Sequence, residues 1–111
     1  MNARTQALQF DQETRRKIIE RDEWCIFCQI GYRMPDEPQR AMDIMHIVPR
    51  SQGGLGIEEN GVVGCRWHHM MLDNGNKGER PAMMAYIENY MKRHYPDWDR
   101  EKLIYKKGET T

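Results

Sequence analysis

Residues 42–73 read MDIMHIVPRSQGGLGIEENGVVGCRWHHMMLD, and this stretch decides the fold. Residues 41–48 are mostly apolar and stop at a proline, which is typical of a short strand. Residues 51–60 contain three glycines and two glutamates and indicate a loop. A second short strand over 61–64 and a helix over about 66–72 are predicted to follow. The stretch therefore predicts a strand–loop–strand–helix unit, which belongs to the α+β class.

Helices are predicted on both sides of this unit. Asp11 suits the N-cap of a helix that runs to about Asp22, because its carboxylate can accept a backbone N–H of the first turn. Pro81 suits the first residue of a C-terminal helix over about 81–95, which ends before Pro96. One helix is thus expected on the N-terminal side of the unit and one on the C-terminal side.

The length of the chain suits one domain. With 111 residues it lies in the range of about 100–150 that is typical of a domain, so a second full core is excluded. Residues 1–9 and 106–111 are predicted to be flexible tails, which leaves residues 10–105 as the domain. The mean hydropathy of −0.91 is polar for a chain that must close its own core. We therefore expect that something besides apolar burial stabilises the fold.

Charge and hydropathy exclude two classes of protein. The 17 basic and 17 acidic side chains cancel, so the chain is not a strongly basic nucleic-acid-binding domain, and contact with DNA would need local charge. No apolar run approaches the ~20 residues that span a bilayer, and the N-terminal residues lack the apolar region of a secretory signal. We therefore expect a soluble, cytoplasmic protein with no membrane partner.

The cysteines predict a structural zinc site. The chain has three cysteines, an odd number that argues against a disulfide framework. Cys25 and Cys28 form a CxxC pair, and Cys65 precedes His68 at the same spacing, so the two pairs can supply the four tetrahedral ligands of zinc. Metal binding would also contribute folding energy. The alternative is a redox CxxC beside one buried thiol.

A second group of polar residues surrounds the predicted helix over 66–72. His69 and Asp73 are four residues apart, so their side chains share one helical face and can bind one divalent cation. His46 lies near the end of the first strand. If the helix packs across the two strands, His46 faces the same cation.

The segments DIMHIVPRSQGG, NGVVGC and RWHHMMLDN follow one another in residues 43–74. In this order and spacing they resemble the HNH endonucleases, in the zinc-stabilised branch that is frequent in phages and prophages. The three letters of the motif fall on His46, Asn60 and His69. The resemblance implies a ββα-metal core over about 41–74 with a zinc knuckle beside it.

The resemblance also implies a function and a role for each residue. His46 corresponds to the general base that takes a proton from water, and Asn60 to the residue whose amide braces the glycine-rich loop. His69 corresponds to a ligand of the catalytic cation, and Asp73 lies where many members have a further ligand. Mg²⁺ or Mn²⁺ would stabilise the phosphate and the leaving 3′ oxygen. The implied activity is metal-dependent hydrolysis of DNA.

One position departs from the pattern of these nucleases. Members commonly have Asp or His as a metal ligand directly before the general base, and here that residue is Met45, a poor ligand for Mg²⁺. Asp43 shares a strand face with Met45 and is a candidate to replace that ligand. Arg50 and Arg66 flank the site and are candidates for phosphate contacts. The implied partners are DNA, bound with low sequence specificity, and phage packaging or other DNA-processing proteins.

Simpler interpretations of the same residues remain. His46 alone is compatible with a core histidine, Asn60 with a turn, and Asp73 with the end of a helix. Arg50 and Arg66 are compatible with solvated charge. The second hypothesis for the whole chain is therefore a zinc-stabilised module that binds nucleic acid or assembles with partner proteins and has no catalytic activity.

Overall fold

The computed structural model describes residues 2–74 and 78–107. Within these ranges the regular elements are the helices α1 (Ala3–Ala7), α2 (Gln12–Asp22) and α3 (Ile26–Gln29), the strands β1 (Met42–His46) and β2 (Gly61–Cys65), and the helices α4 (Arg66–Asn74) and α5 (Arg80–His94). Short 3₁₀ turns cover Arg50–Gln52, Glu58–Asn60 and Arg100–Leu103. No helix in the described part of the chain has the length and apolar character needed to cross a membrane.

The sheet consists of β1 and β2, which pair antiparallel. Met42 lies opposite Cys65 at one end of the register, and His46 lies opposite Gly61 at the other. Helix α4 follows β2 without a connecting residue. The predicted α+β class and the strand–loop–strand–helix order are confirmed, although β1 is shorter than the predicted 41–48. Helix α4 reaches Asn74, beyond its predicted end at about residue 72.

The N-terminal part of the chain covers one face of the sheet closely. A Cβ atom added to Gly61 would lie 2.6 Å from Cδ1 of Ile18 and 2.9 Å from the Phe10 ring. On the other face, a Cβ atom added to Gly64 would lie 2.5 Å from the sulfur of Met45. Glycine at these two positions lets α2 and the Met45 side chain approach the backbone of β2.

The core lies between the sheet and the helices. Helix α5 contributes Met83, Ile87 and Met91, which are fully buried and recur at helical spacing on one face. The rest of the core includes Ile26, Phe27, Met45, Ile47, Val48, Val62, Leu72 and Leu103. Methionine fills several of these positions because its flexible side chain adapts to an irregular core.

A buried carboxylate joins α2 to both the sheet and α5. Asp22 is 2% exposed, and its Oδ2 accepts the backbone N–H of Val63 at 2.8 Å. Its Oδ1 accepts the hydroxyl of Tyr90 at 2.5 Å. The neighbouring Arg21 guanidinium donates to Asp22 at 2.6 Å and balances its charge. Because a buried charge is tolerated only when it is paired and hydrogen-bonded, this network fixes where α2 lies.

The N-terminal residues differ from the prediction. Residues 1–9 were expected to be a flexible tail, but they contain α1, and Leu8 after it is 2% exposed. The backbone N–H of Gly56 donates to the carbonyl of Ala7 at 2.9 Å. Tertiary contacts hold this segment, and such contacts leave no periodic pattern in a short stretch of sequence. Of the second predicted tail, residues 106–107 carry no helix or strand, and residues 108–111 lie outside the described residues.

Replacing Asp22 tests the buried network. Asp22→Ala leaves the Arg21 charge, the Val63 N–H and the Tyr90 hydroxyl without their partner, so the free energy of unfolding should fall by about 3–5 kcal/mol. Tyr90→Phe removes one hydrogen bond and should cost less, about 1–3 kcal/mol. Urea unfolding of the zinc-loaded proteins measures both. Equal stability of Asp22→Ala and the parent protein would contradict this role.

Candidate functional site

Three cysteines and one histidine converge beside the sheet. Cys25 caps the N-terminus of α3 and Cys28 lies within it. Cys65 ends β2, and His68 lies in the first turn of α4. The ligand atoms of these four residues all lie within 4.8 Å of one another. We call this group the Cys₃His cluster.

The distances within the Cys₃His cluster fit a tetrahedral metal site. Nδ1 of His68 lies 3.2 Å from the sulfur of Cys65 and 3.4 Å from that of Cys25, and the sulfurs of Cys28 and Cys65 are 3.7 Å apart. Zinc with Zn–S bonds of about 2.3 Å and a Zn–N bond of about 2.0 Å separates two sulfurs by about 3.8 Å and a sulfur from a nitrogen by about 3.5 Å. One zinc ion therefore fits between the four atoms.

Hydrogen bonds orient the ligands of the cluster. Nε2 of His68 lies 2.5 Å from the backbone carbonyl of Tyr32. Since a carbonyl only accepts, Nε2 carries the proton and Nδ1 offers its lone pair to the metal. Backbone N–H groups of Cys28 and His68 also donate to the sulfurs of Cys25 and Cys65, each at 3.4 Å. Three of the four ligands, Cys25, Cys65 and His68, thus already have a second partner.

The pKa values of the thiols show why a cation suits the cluster. Burial raises the pKa of Cys25, whereas hydrogen bonds from backbone N–H groups lower it, and without a metal a proton on Nδ1 of His68 would lower it further. Burial and the neighbouring Cys25 sulfur raise the pKa of Cys28 to about 12. Three crowded thiols resist ionising together, because each new thiolate repels the others. A bound Zn²⁺ supplies the positive charge that lets all three ionise.

Asn60 clamps the loop between β1 and β2. Its side chain is completely buried. Its Oδ1 accepts the backbone N–H of Val48 at 2.8 Å, and its Nδ2 donates to the carbonyls of Leu55 at 2.8 Å and Val48 at 3.2 Å. The amide therefore ties the start of the loop to its middle, directly after the strand that carries His46.

His46 ends β1 in a partly buried position. Nε2 of its ring lies 3.0 Å from the backbone carbonyl of Leu8. The ring packs against that of Phe10, with 4.2 Å between the centroids. Burial lowers the pKa of His46 below its ordinary value, and the positive charge of Arg50 lowers it further, although the bond to Leu8 opposes them. His46 is therefore neutral at physiological pH.

Two carboxylates flank the ring of His69. Nδ1 lies 2.9 Å from Oδ2 of Asp43, and Nε2 lies 3.2 Å from Oδ2 of Asp73. Asp43 also accepts two hydrogen bonds from Arg66, at 2.9 and 3.2 Å, and these contacts lower the pKa of Asp43. Arg66, a predicted phosphate contact, is thus paired with Asp43.

The structure separates the predicted catalytic residues into two groups. Asp43 and His46 are three residues apart in an extended strand, so their side chains leave opposite faces of the sheet. His46 contacts the N-terminal segment, whereas Asp43 contacts His69 on α4. Within residues 2–74 and 78–107, the convergent group of potential metal ligands is the Cys₃His cluster, and His46, His69 and Asp73 do not form a second one. Met45 is 1% exposed and packs in the core.

Sequence reasoning missed two hydrogen-bond partners: the Tyr32 carbonyl beside His68 and the Leu8 carbonyl beside His46. Tyr32 and Leu8 act through backbone carbonyls, which every residue has, so no residue type marks them. Phe10 left a weak signal as an aromatic residue directly before the helix cap Asp11. Comparison of the chain with models of protein families, with curated proteins and with solved structures finds no match. The arrangement of these side chains is therefore the basis for assigning a function.

Adjacent histidines provide a matched test of the Cys₃His cluster. The parent protein should bind one zinc ion per chain, and His68→Ala should lose it and unfold at a lower temperature. His69→Ala should keep its zinc, because His69 faces Asp43 and Asp73 instead. Elemental analysis after dialysis measures the zinc, and thermal unfolding with and without a chelator measures its effect. The binding energy of structural zinc, about 10–16 kcal/mol, should make the chelated protein unfold.

A parent protein that folds without zinc, and whose three thiols react freely with a thiol reagent, would contradict the assignment.

Proposed function

We propose that this protein is a metal-dependent DNA endonuclease of the HNH type. Two metal sites with different donors are required: a structural zinc in the Cys₃His cluster, and a divalent cation such as Mg²⁺ or Mn²⁺ at His69. The observation that carries the proposal is the pair of contacts around His69. A neutral imidazole has one N–H, so it can donate to only one of two carboxylates, and its other nitrogen faces the second carboxylate with a lone pair. With a neutral ring, a cation between that nitrogen and that carboxylate would satisfy both contacts, whereas a ring that carries both protons satisfies them without a metal.

Asp73 suits the role of metal ligand better than Asp43. Asp43 already balances its charge against Arg66, and it can accept the Nδ1–H of His69. That bond would orient His69, as carboxylates often do for metal-bound histidines. Nε2 of His69 and Oδ2 of Asp73 are 3.2 Å apart, close to the roughly 3.0 Å between neighbouring ligands of an octahedral cation with bonds of about 2.1 Å. Mg²⁺ and Mn²⁺ accept oxygen ligands and retain water in the remaining positions.

His46 has the properties of a general base. It is neutral at physiological pH. Nε2 carries the ring proton and donates it to the Leu8 carbonyl, so Nδ1 has the lone pair that can accept a proton from water. The water oxygen then bonds to phosphorus, the bond from phosphorus to the 3′ oxygen breaks, and the 3′ oxygen takes up a proton. A divalent cation at His69, when bound, would stabilise the charge on the phosphate and on the leaving oxygen.

His46 and His69 were expected to face one cation, but their side chains contact elements on opposite faces of the sheet. In-line displacement needs the attacking and leaving oxygens on opposite sides of phosphorus. The proposal therefore requires a bound phosphate that His46 and the cation at His69 can both reach. Arg50 is exposed near His46, and its positive charge can attract the phosphate. Because the net charge of the chain is zero, binding should be weak, salt-sensitive and largely independent of DNA sequence.

A zinc-stabilised nucleic-acid-binding module without catalysis is the second candidate. Met45 favours it, because the residue directly before His46 is buried and offers no oxygen to a cation. Asp43 shares its strand face but is engaged by Arg66. This candidate predicts the same zinc site, no second cation site and no hydrolysis.

The nuclease proposal predicts cleavage of supercoiled plasmid in the presence of Mg²⁺ or Mn²⁺. His46→Ala should reduce the rate by about 10²–10⁴, the usual contribution of a general base. His94→Ala, at an exposed position of α5, is the matched control and should cleave like the parent protein. Because only neutral His46 accepts a proton and its pKa lies below 6.5, the rate should stay high above pH 6.5. It should then fall as the pH drops through that lower value.

His46→Ala cleaving as fast as the parent protein would identify the activity as a contaminant.

Calorimetry with Mn²⁺ on the zinc-loaded protein tests the second metal site. The parent protein should bind one Mn²⁺ more weakly than zinc, and Asp73→Asn should abolish this binding. Asp43→Asn should weaken it by about 10–100-fold, as expected for a residue that orients a metal-bound histidine. Asp97→Asn, at an exposed position, should bind like the parent protein. No Mn²⁺ binding to the parent protein would instead favour the module without catalysis.

A further inference from the structure

We propose that residues 8–10 are a positioning element for His46, a role that rests on the proposed function because His46 must be the base. The backbone carbonyl of Leu8 lies 3.0 Å from Nε2 of His46. Because a carbonyl only accepts, it selects the form of the imidazole that carries its proton on Nε2. Nδ1 then keeps the lone pair that takes a proton from water. The acceptor is a main-chain atom and comes from a different part of the chain than the site itself.

Phe10 sets the plane of the same ring. Its centroid lies 4.2 Å from that of His46, and the two rings are inclined by 33°. Phe10 also lies against Gly61, where an added Cβ would be 2.9 Å from the phenyl ring. Since Gly61 pairs with His46 across the sheet, Phe10 is itself positioned by the strand pair that carries the base. The Leu8 carbonyl thus fixes one ring nitrogen, and Phe10 restricts rotation of the ring.

The loop between the strands holds this segment in place. Leu8 is 2% exposed, and the carbonyl of Ala7 accepts the N–H of Gly56 at 2.9 Å. A Cβ atom added to Gly56 would lie only 2.0 Å from the carbonyl oxygen of Gln9. Gly56→Ala must therefore push residues 8–10 away from the loop, and it does so without changing any residue of the segment or of the site.

The ring protons of His46 report on this contact independently of activity. A ring N–H that is exposed to water exchanges too fast to give a signal, whereas one bonded to a shielded carbonyl persists. In long-range ¹H–¹⁵N spectra of the zinc-loaded, full-length protein near neutral pH, His46 should show a resolved proton on Nε2 and none on Nδ1. The spectrum of His46→Gln identifies these signals by their loss.

Two variants should release the ring in different ways. Phe10→Ala and Gly56→Ala should each lose the resolved Nε2 proton, and kcat for plasmid cleavage should fall by about 10–100-fold, as expected for a misplaced catalytic group. KM should change little, because neither residue is expected to contact DNA. Met83→Ala, in the core on α5, should lower stability but leave the His46 proton in place.

The outcomes separate the positioning role from the nuclease proposal. Cleavage by a parent protein whose His46 has its proton on Nδ1, or shows no resolved ring proton, would overturn the positioning role alone. So would an unchanged proton signal and unchanged kcat in Gly56→Ala. A parent protein that cleaves no DNA with any divalent cation would overturn both, even if the Nε2 proton is resolved.

Discussion

Convergence of three sulfurs and one imidazole nitrogen within 4.8 Å is the constraint on which the position of α4 and of its two histidines depends. Cys28 and Cys65 are 37 positions apart in the sequence but their sulfurs are in contact, and a cation bound between them would hold α3 against the junction of β2 and α4. No residue separates this strand from this helix. The direction of α4, and with it the position of His69, is therefore set by the Cys₃His cluster.

The adjacent residues His68 and His69 can therefore take part in two different metal sites. Successive residues of a helix are about 100° apart around its axis. His68 faces the sulfurs, and its neighbour His69 faces the carboxylates of Asp43 and Asp73. Sulfur ligands suit zinc, whereas carboxylates and water suit Mg²⁺ and Mn²⁺. The difference in donors, more than distance, would keep a structural and a catalytic metal in their own places.

The sequence was sufficient for features that depend on spacing. The two C-x₂ pairs identified the Cys₃His cluster, and the i, i+4 relation of His69 and Asp73 corresponds to a contact in the structure. It was insufficient for Leu8, whose contact with His46 is made by a backbone carbonyl, and for Asp22, whose burial follows from partners far along the chain. Such contacts depend on the completed fold and have no local pattern. The N-terminal segment was predicted as a tail for the same reason.

Met45 shows how one apolar residue changes the expected metal site. Its side chain fills the core above Gly64, and Asp43 on the same face is held by Arg66 and His69. A cation on the Nε2 side of His69 would then have two protein ligands, His69 and Asp73, with water in the other positions. Mg²⁺ tolerates this because it retains much of its water when bound. Few protein ligands mean weak binding, so the DNA phosphate would become a further ligand, and the catalytic site would be complete only with substrate present.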